Sequence, residues 1–156
     1  MNGRFFESFE IGERFTSKER TVTEEDIVRF SELSGDRHSL HLDEAYAKTT
    51  RFGGRIAHGL LGLSIASGLW VQLGILENNL IAFLELEWTF VAPVYIGDRV
   101  RVVVSLMEKK ETRREDQGIL RFAATLFNQK NEPVQEGKWT LLVQKERGGP
   151  VRGPLQ

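Results

Sequence analysis

The stretch "IAHGLLGLSIASGLWVQLGIL", residues 56–76, decides the fold, because it approaches the length of a bilayer span and its only strongly polar side chains are His58 and Gln72. A buried helix has the same composition. Gly59, Gly62, Ser64, Ala66, Ser67 and Gly68 form a small-residue side that another backbone can approach closely, and the remainder of the chain is patterned like a soluble domain. The expectation is a helix packed on a sheet, with no membrane as partner.

Beyond it the periodicity changes. "LIAFLELEWTFVAPV" (80–94), "RVRVVVSLMEKK" (99–110), "ILRFAATLFNQ" (119–129) and "VQEGKWTLLVQK" (134–145) are rich in β-branched and aromatic residues, and turn signals at "YIGD", "REDQG" and "NQKNEP" separate them. Four such strands in succession read most simply as an antiparallel meander. Before the apolar stretch, Thr23 followed by Glu24, Glu25 and Asp26 predicts a helix start, and Gly35 its stop. Asp43 predicts the cap of a short helix through "EAYAKTT". Helices early and strands late make an α+β domain whose long helix lies on the concave face of the sheet.

The 156 residues suffice for one domain, burying about two-thirds of the unfolded surface. With 40% apolar and 28% charged residues and a net charge of −1, neither disorder nor bulk nucleic-acid binding is indicated. The lack of cysteine excludes disulfides, thiolate metal sites and cysteine nucleophiles, and suits a reducing compartment. "MNGRFFESFEIGERF" lacks the apolar core of a signal peptide, so a cytoplasmic location is expected. The domain is expected to occupy residues 1–146, with "RGGPVRGPLQ", residues 147–156, as a mobile tail.

Two of the three histidines fall in "GDRHSLH", residues 35–41, between the first helices. Asp36, His38, His41 and Asp43 could ligate a metal, but their spacing matches no familiar zinc pattern and the chain has few further donors, so no metal is expected. Taken alone, the heptapeptide reads as a solvated loop.

Its company changes that reading. "FSELSGD" together with "LHLDEAYAKTTRFGGRIAHGLLGLSIASGL" resembles the signature of the MaoC-like dehydratases, which include the R-specific enoyl-CoA hydratases. Gly35, Asp36, Leu40, His41, Asp43, Ala45, Phe52, Ile56, His58 and Gly59 fall on that pattern without a gap. "WTFVAPVYIGDRV" resembles the family's later motif at Phe90, Pro93, Val94, Gly97 and Asp98. The resemblance implies a single hot-dog domain, an antiparallel sheet wrapped around one long central helix, and pairing into a homodimer or higher homo-oligomer with active sites near the interface.

It also implies reversible hydration of a trans-2-enoyl-CoA to a 3-hydroxyacyl-CoA, with an acyl-CoA thioester as partner and no cofactor. By resemblance Asp36 and His41 activate water and protonate C2, and the Gly59 amide stabilises the thioester oxyanion. Imidazole suits proton transfer near neutrality, and an amide at a helix start suits an anion. Which of Asp36 and His41 is acid and which is base stays open. Ser67 matches a serine that hydrogen-bonds near the pair in related hydratases. His58 is expected to support the site as a hydrogen-bonded neighbour, Arg55 to meet a phosphate or an adjacent carboxylate, and Trp70 and Trp88 to line the core or the acyl pocket. A hot-dog thioesterase and a non-catalytic acyl-CoA-binding protein are the rival readings.

Two positions depart from the pattern: His38 and Ser39 stand where the family usually has Asn and Pro. Loss of Pro removes a φ restraint from the turn that aims Asp36 and His41, and His changes which groups that turn can satisfy.

Overall fold

The start of the first helix follows from Thr23. In the computed structural model, which describes residues 3–146, the Thr23 side chain accepts from the Asp26 amide and the Asp26 carboxylate accepts from the Thr23 amide, a reciprocal cap that opens α1, Glu24–Ser34. Gly35 closes it in the left-handed region at φ 77°, where a side chain would be strained. Asp43 accepts from the Tyr46 amide and caps α3, Glu44–Lys48. Between them the expected loop is in part a helical turn, α2, Ser39–Leu42, so His41 stands on a helix. The correction has a local cause: His38 supplies a cap acceptor and the Asp43 amide closes the turn on the Ser39 carbonyl at 2.9 Å.

The apolar stretch forms α4, Gly59–Val71, 13 residues rather than the full 56–76. Residues 56–58 are an extended lead-in: the Ala57 amide donates to the Val94 carbonyl at 2.8 Å, and Ile56 forms an isolated bridge with Tyr95. After Val71 the chain turns through Gly74 at φ 68°. A helix of this length measures about 20 Å, short of the bilayer core. Among the described residues no helix is long and apolar enough to cross a membrane.

Six strands make the sheet: β1, Arg14–Thr16; β2, Arg20–Thr21; β3, Leu80–Phe90; β4, Arg99–Glu111; β5, Gln117–Phe127; and β6, Pro133–Gln144. Their order is β1-β4-β5-β6-β3, with β2 also on β4 and every pairing antiparallel. The expected four-strand meander therefore holds only for β4, β5 and β6. β3 crosses to the far edge and pairs with β6, because "VAPVYIGD", residues 91–98, is a long connection containing Pro93 and tied to the α4 lead-in, with none of the geometry of a tight hairpin.

One face of α4, Leu61, Ile65, Ala66, Leu69 and Trp70, is buried against Leu120, Phe122, Trp139 and Leu141 of the sheet in a single core. This is the α+β hot-dog arrangement, an antiparallel sheet curled about one long helix. The opposite face of α4 leaves Leu60 and Val71 exposed, and β3 exposes Ile81, Phe83, Leu84 and Leu86. The segment expected to be a tail, 147–156, lies outside the described residues.

Gly35→Ala places a Cβ on a left-handed residue immediately before Asp36. Equilibrium urea unfolding is expected to show a loss of about 1–2 kcal/mol, with the m-value unchanged.

Candidate active site

Asp36, His41 and His58 converge although they lie on three separate pieces of chain. One carboxylate oxygen of Asp36 and one nitrogen of each ring lie within 4.8 Å of one another. No direct hydrogen bond joins Asp36 to His41 among those described, and the gap is one that a single hydrogen-bonded oxygen can bridge.

The hydrogen bonds fix the tautomers. His41 Nδ1 lies 2.8 Å from the Ile56 carbonyl, which can only accept, so Nδ1 carries the proton and Nε2 of the neutral ring is a free acceptor. His58 Nε2 lies 3.0 Å from the Asp36 carbonyl and 3.2 Å from Ser31 Oγ, so by the same logic Nε2 is the protonated nitrogen. Its Nδ1 is buried without a partner. His58 thus anchors the backbone of Asp36.

The two rings stack with centroids 3.8 Å apart and planes 29° from parallel. Burial holds the half-buried His41 imidazole below the ordinary histidine value; the Ile56 carbonyl opposes this, and the neighbouring His58 lowers it further. The neutral form of the His41 ring is thereby favoured.

Asp36 is exposed, and local bonds aim it. Its amide donates to Ser34 Oγ at 3.1 Å, and Oδ1 accepts from the His38 amide at 3.2 Å, an Asx turn that leaves the other carboxylate oxygen unengaged.

His41 opens onto a cleft of about 400 Å³ lined also by Arg51, Phe52, Gly59, Leu60, Phe90 and Gln135. That volume suits a small ligand, and the walls are chiefly apolar. Gly59 is the first residue of α4, where an amide has no partner within the helix. A Cβ there would lie 2.7 Å from the Phe90 ring, so a larger residue requires that ring to shift. A carboxylate and an imidazole thus stand close together, the imidazole on a cleft whose lining includes the first residue of α4.

The remaining expected residues are placed differently. Arg55 pairs with Glu24 and Glu44, so of the two readings given for it the structure has the adjacent carboxylates. Ser67 lines a hollow with Leu63, Phe83, Leu86 and Trp139. His38 is exposed, 6.2 Å from His41 between ring centroids, and caps α2.

Sequence reasoning missed Gln135. Buried on β6, it donates from Nε2 to the Gly59 carbonyl at 3.1 Å and accepts from Trp88 Nε1 at 3.0 Å, which clips the start of α4 to the sheet. Trp88 is thereby both core packing and part of that clip. A signal was present: Val134 and Gln135 are consecutive buried residues next to a register shift, a break in strand alternation that put a polar side chain inward.

Residues 7–126 match a family described as the MaoC like domain. The 3-hydroxybutyryl-CoA dehydratase of Methylorubrum extorquens is 35% identical over 149 residues, covering 94% of this chain and 89% of that protein. The (R)-specific enoyl-CoA hydratase of Aeromonas caviae is 34% identical over 123 residues, covering 79% and 87%. Among solved structures, one described as a monoamine oxidase regulatory protein from Archaeoglobus fulgidus superposes with a TM-score of 0.88 at 37% identity, covering 94% of this chain and 98% of that one.

The depressed His41 value carries a sign for stability. As pH falls below the ordinary histidine value, the unfolded chain takes up a proton that the folded chain resists, so the contribution is complete above that value and is lost on acidification. Urea unfolding between about pH 7.5 and about pH 5 is expected to show declining stability, with a shallower decline in His41→Gln.

Proposed function

The chain belongs to the MaoC-like dehydratase family, and we propose that it reversibly adds water across the double bond of a trans-2-enoyl-CoA to give a 3-hydroxyacyl-CoA. The observation that carries this reading is the short gap between the Asp36 carboxylate and the His41 imidazole, whose ring lines an apolar cleft. Water held there loses a proton to the pair while its oxygen bonds to C3, and the pair returns a proton to C2, so one water is consumed and no group leaves. The pair acts as a unit, with the order of the two transfers unassigned.

Negative charge that develops on the thioester oxygen meets the Gly59 amide and the positive end of α4. Apolar walls from Phe52, Leu60 and Phe90 receive the acyl chain. His58 keeps Asp36 in place through its backbone carbonyl.

A second copy of the chain is the other partner proposed. β3 ends the sheet, so among the described residues one of its edges is unpaired; Ile81, Phe83, Leu84 and Leu86 are exposed on it, and Phe83 and Leu86 line a hollow with Leu63 of α4. A long apolar edge strand of this kind needs a cover. A homodimer joined along β3 supplies it and adds a second wall near the cleft. Leu84→Arg is expected to convert a dimer to monomer in sedimentation equilibrium, with the far-UV spectrum retained.

Purified protein is expected to consume the conjugated double bond of crotonyl-CoA without releasing free thiol. Asp36→Asn and His41→Ala are each expected to lower kcat by about a hundredfold or more while the proteins remain folded. Gly59→Ala is expected to reduce kcat/KM by at least about tenfold. Thiol release by the unmodified protein would favour a thioesterase, and binding without turnover would favour a passive acyl-CoA-binding protein.

A further inference from the structure

We propose that His38 is a positioning residue for the reaction: its unprotonated Nδ1 caps the turn that carries His41, so the geometry of the site is conditional on His38 being neutral. This rests on the hydratase reading for its kinetic consequence, while the cap itself can be tested without turnover.

α2 has four residues, too few to hold a helical turn by propensity. Its shape depends on the bonds at its ends. His38 Nδ1 accepts from the Leu40 amide at 3.1 Å, and the His38 carbonyl accepts from the His41 amide at 3.0 Å. The His38 amide in turn donates to the Asp36 carboxylate. One residue therefore links the backbone of the imidazole partner to the side chain of the carboxylate partner.

An Asn or Asp cap accepts through oxygen at neutral pH. An imidazole cap accepts only while Nδ1 is bare, because a proton there points at the Leu40 N–H and the bond is lost. The departure at His38 and Ser39 now has a structural meaning. They occupy the cap and the first helical position, where the family's Asn would cap regardless of pH in this range and its Pro would fix φ. Ser39 supplies no such restraint, so the turn leans on the imidazole. The titratable groups facing His38 among the described residues are Asp36 in the preceding loop, His41 on α2 at 6.2 Å between ring centroids, and Tyr46 on α3, also at 6.2 Å.

The test compares His38→Asn, which restores a pH-independent acceptor, with His38→Ala, which removes it. His38 is exposed, so both variants are expected to fold. At about pH 7.5, His38→Asn should hydrate crotonyl-CoA within about twofold of the unmodified protein, and His38→Ala should show kcat lowered by about tenfold with little change in KM. On acidification the unmodified protein should lose activity before His38→Asn does, displacing the acid limb of the variant to lower pH. Independently of activity, the Leu40 amide resonance should titrate together with the His38 ring protons and stop doing so in His38→Asn. If Leu40 ignores the His38 titration, or if His38→Ala matches His38→Asn in rate and pH profile, the proposal is overturned. If no variant and no unmodified protein hydrates any enoyl-CoA but Leu40 follows His38, the cap stands and the hydratase reading fails.

Discussion

The hydrogen bond from His41 Nδ1 to the Ile56 carbonyl is the constraint on which the rest of the site depends. It joins the α2 turn to the strand-like lead-in of α4 and decides which ring nitrogen stays free. Four consecutive residues of that lead-in each hold a different part. Ile56 holds His41, Ala57 holds the Val94 carbonyl of the long 91–98 connection, His58 holds Asp36, and Gly59 begins the central helix. The sheet fixes this segment from below, through Gln135 and Trp88. Groups separated widely in sequence are thus brought to one place by a short stretch of backbone.

Electrostatics follows from that arrangement. His58, buried, donates through Nε2 to a carbonyl, and the His41 ring stacked on it is held toward its neutral form. Two protonated rings at that separation would repel in a partly desolvated setting, so burial and neighbour act in the same direction. Asp36 differs in being exposed, aimed by its own turn and by His58. The result is a polar pair with one solvated and one shielded member beside apolar walls, a division of environments suited to moving protons in both directions.

Much of this was legible in the sequence because local chemistry and tertiary structure agree. Thr23, Gly35 and Asp43 act as the caps their residue types predict, and of the residues named by the family resemblance His41 and Gly59 line one cleft while an Asp36 carboxylate oxygen lies within 4.8 Å of a His41 ring nitrogen. What was not legible depends on long-range pairing. Nothing in residues 91–98 announces that β3 joins β6 across the sheet, since only loop length and Pro93 argue against a hairpin. The α2 turn was hidden because a four-residue helix has no periodicity, and Gln135 because its partner lies 76 positions away.

The central claim is that a backbone carbonyl locks His41 with Nδ1 protonated and Nε2 bare, facing Asp36 and the cleft. Nitrogen-15 NMR of the histidine side chains at neutral pH tests it most directly. The account predicts an imidazole with a protonated Nδ1 and an unprotonated Nε2 whose resonance moves when a saturated acyl-CoA occupies the cleft. A His41 ring with the proton on Nε2, or one indifferent to the ligand, would contradict it.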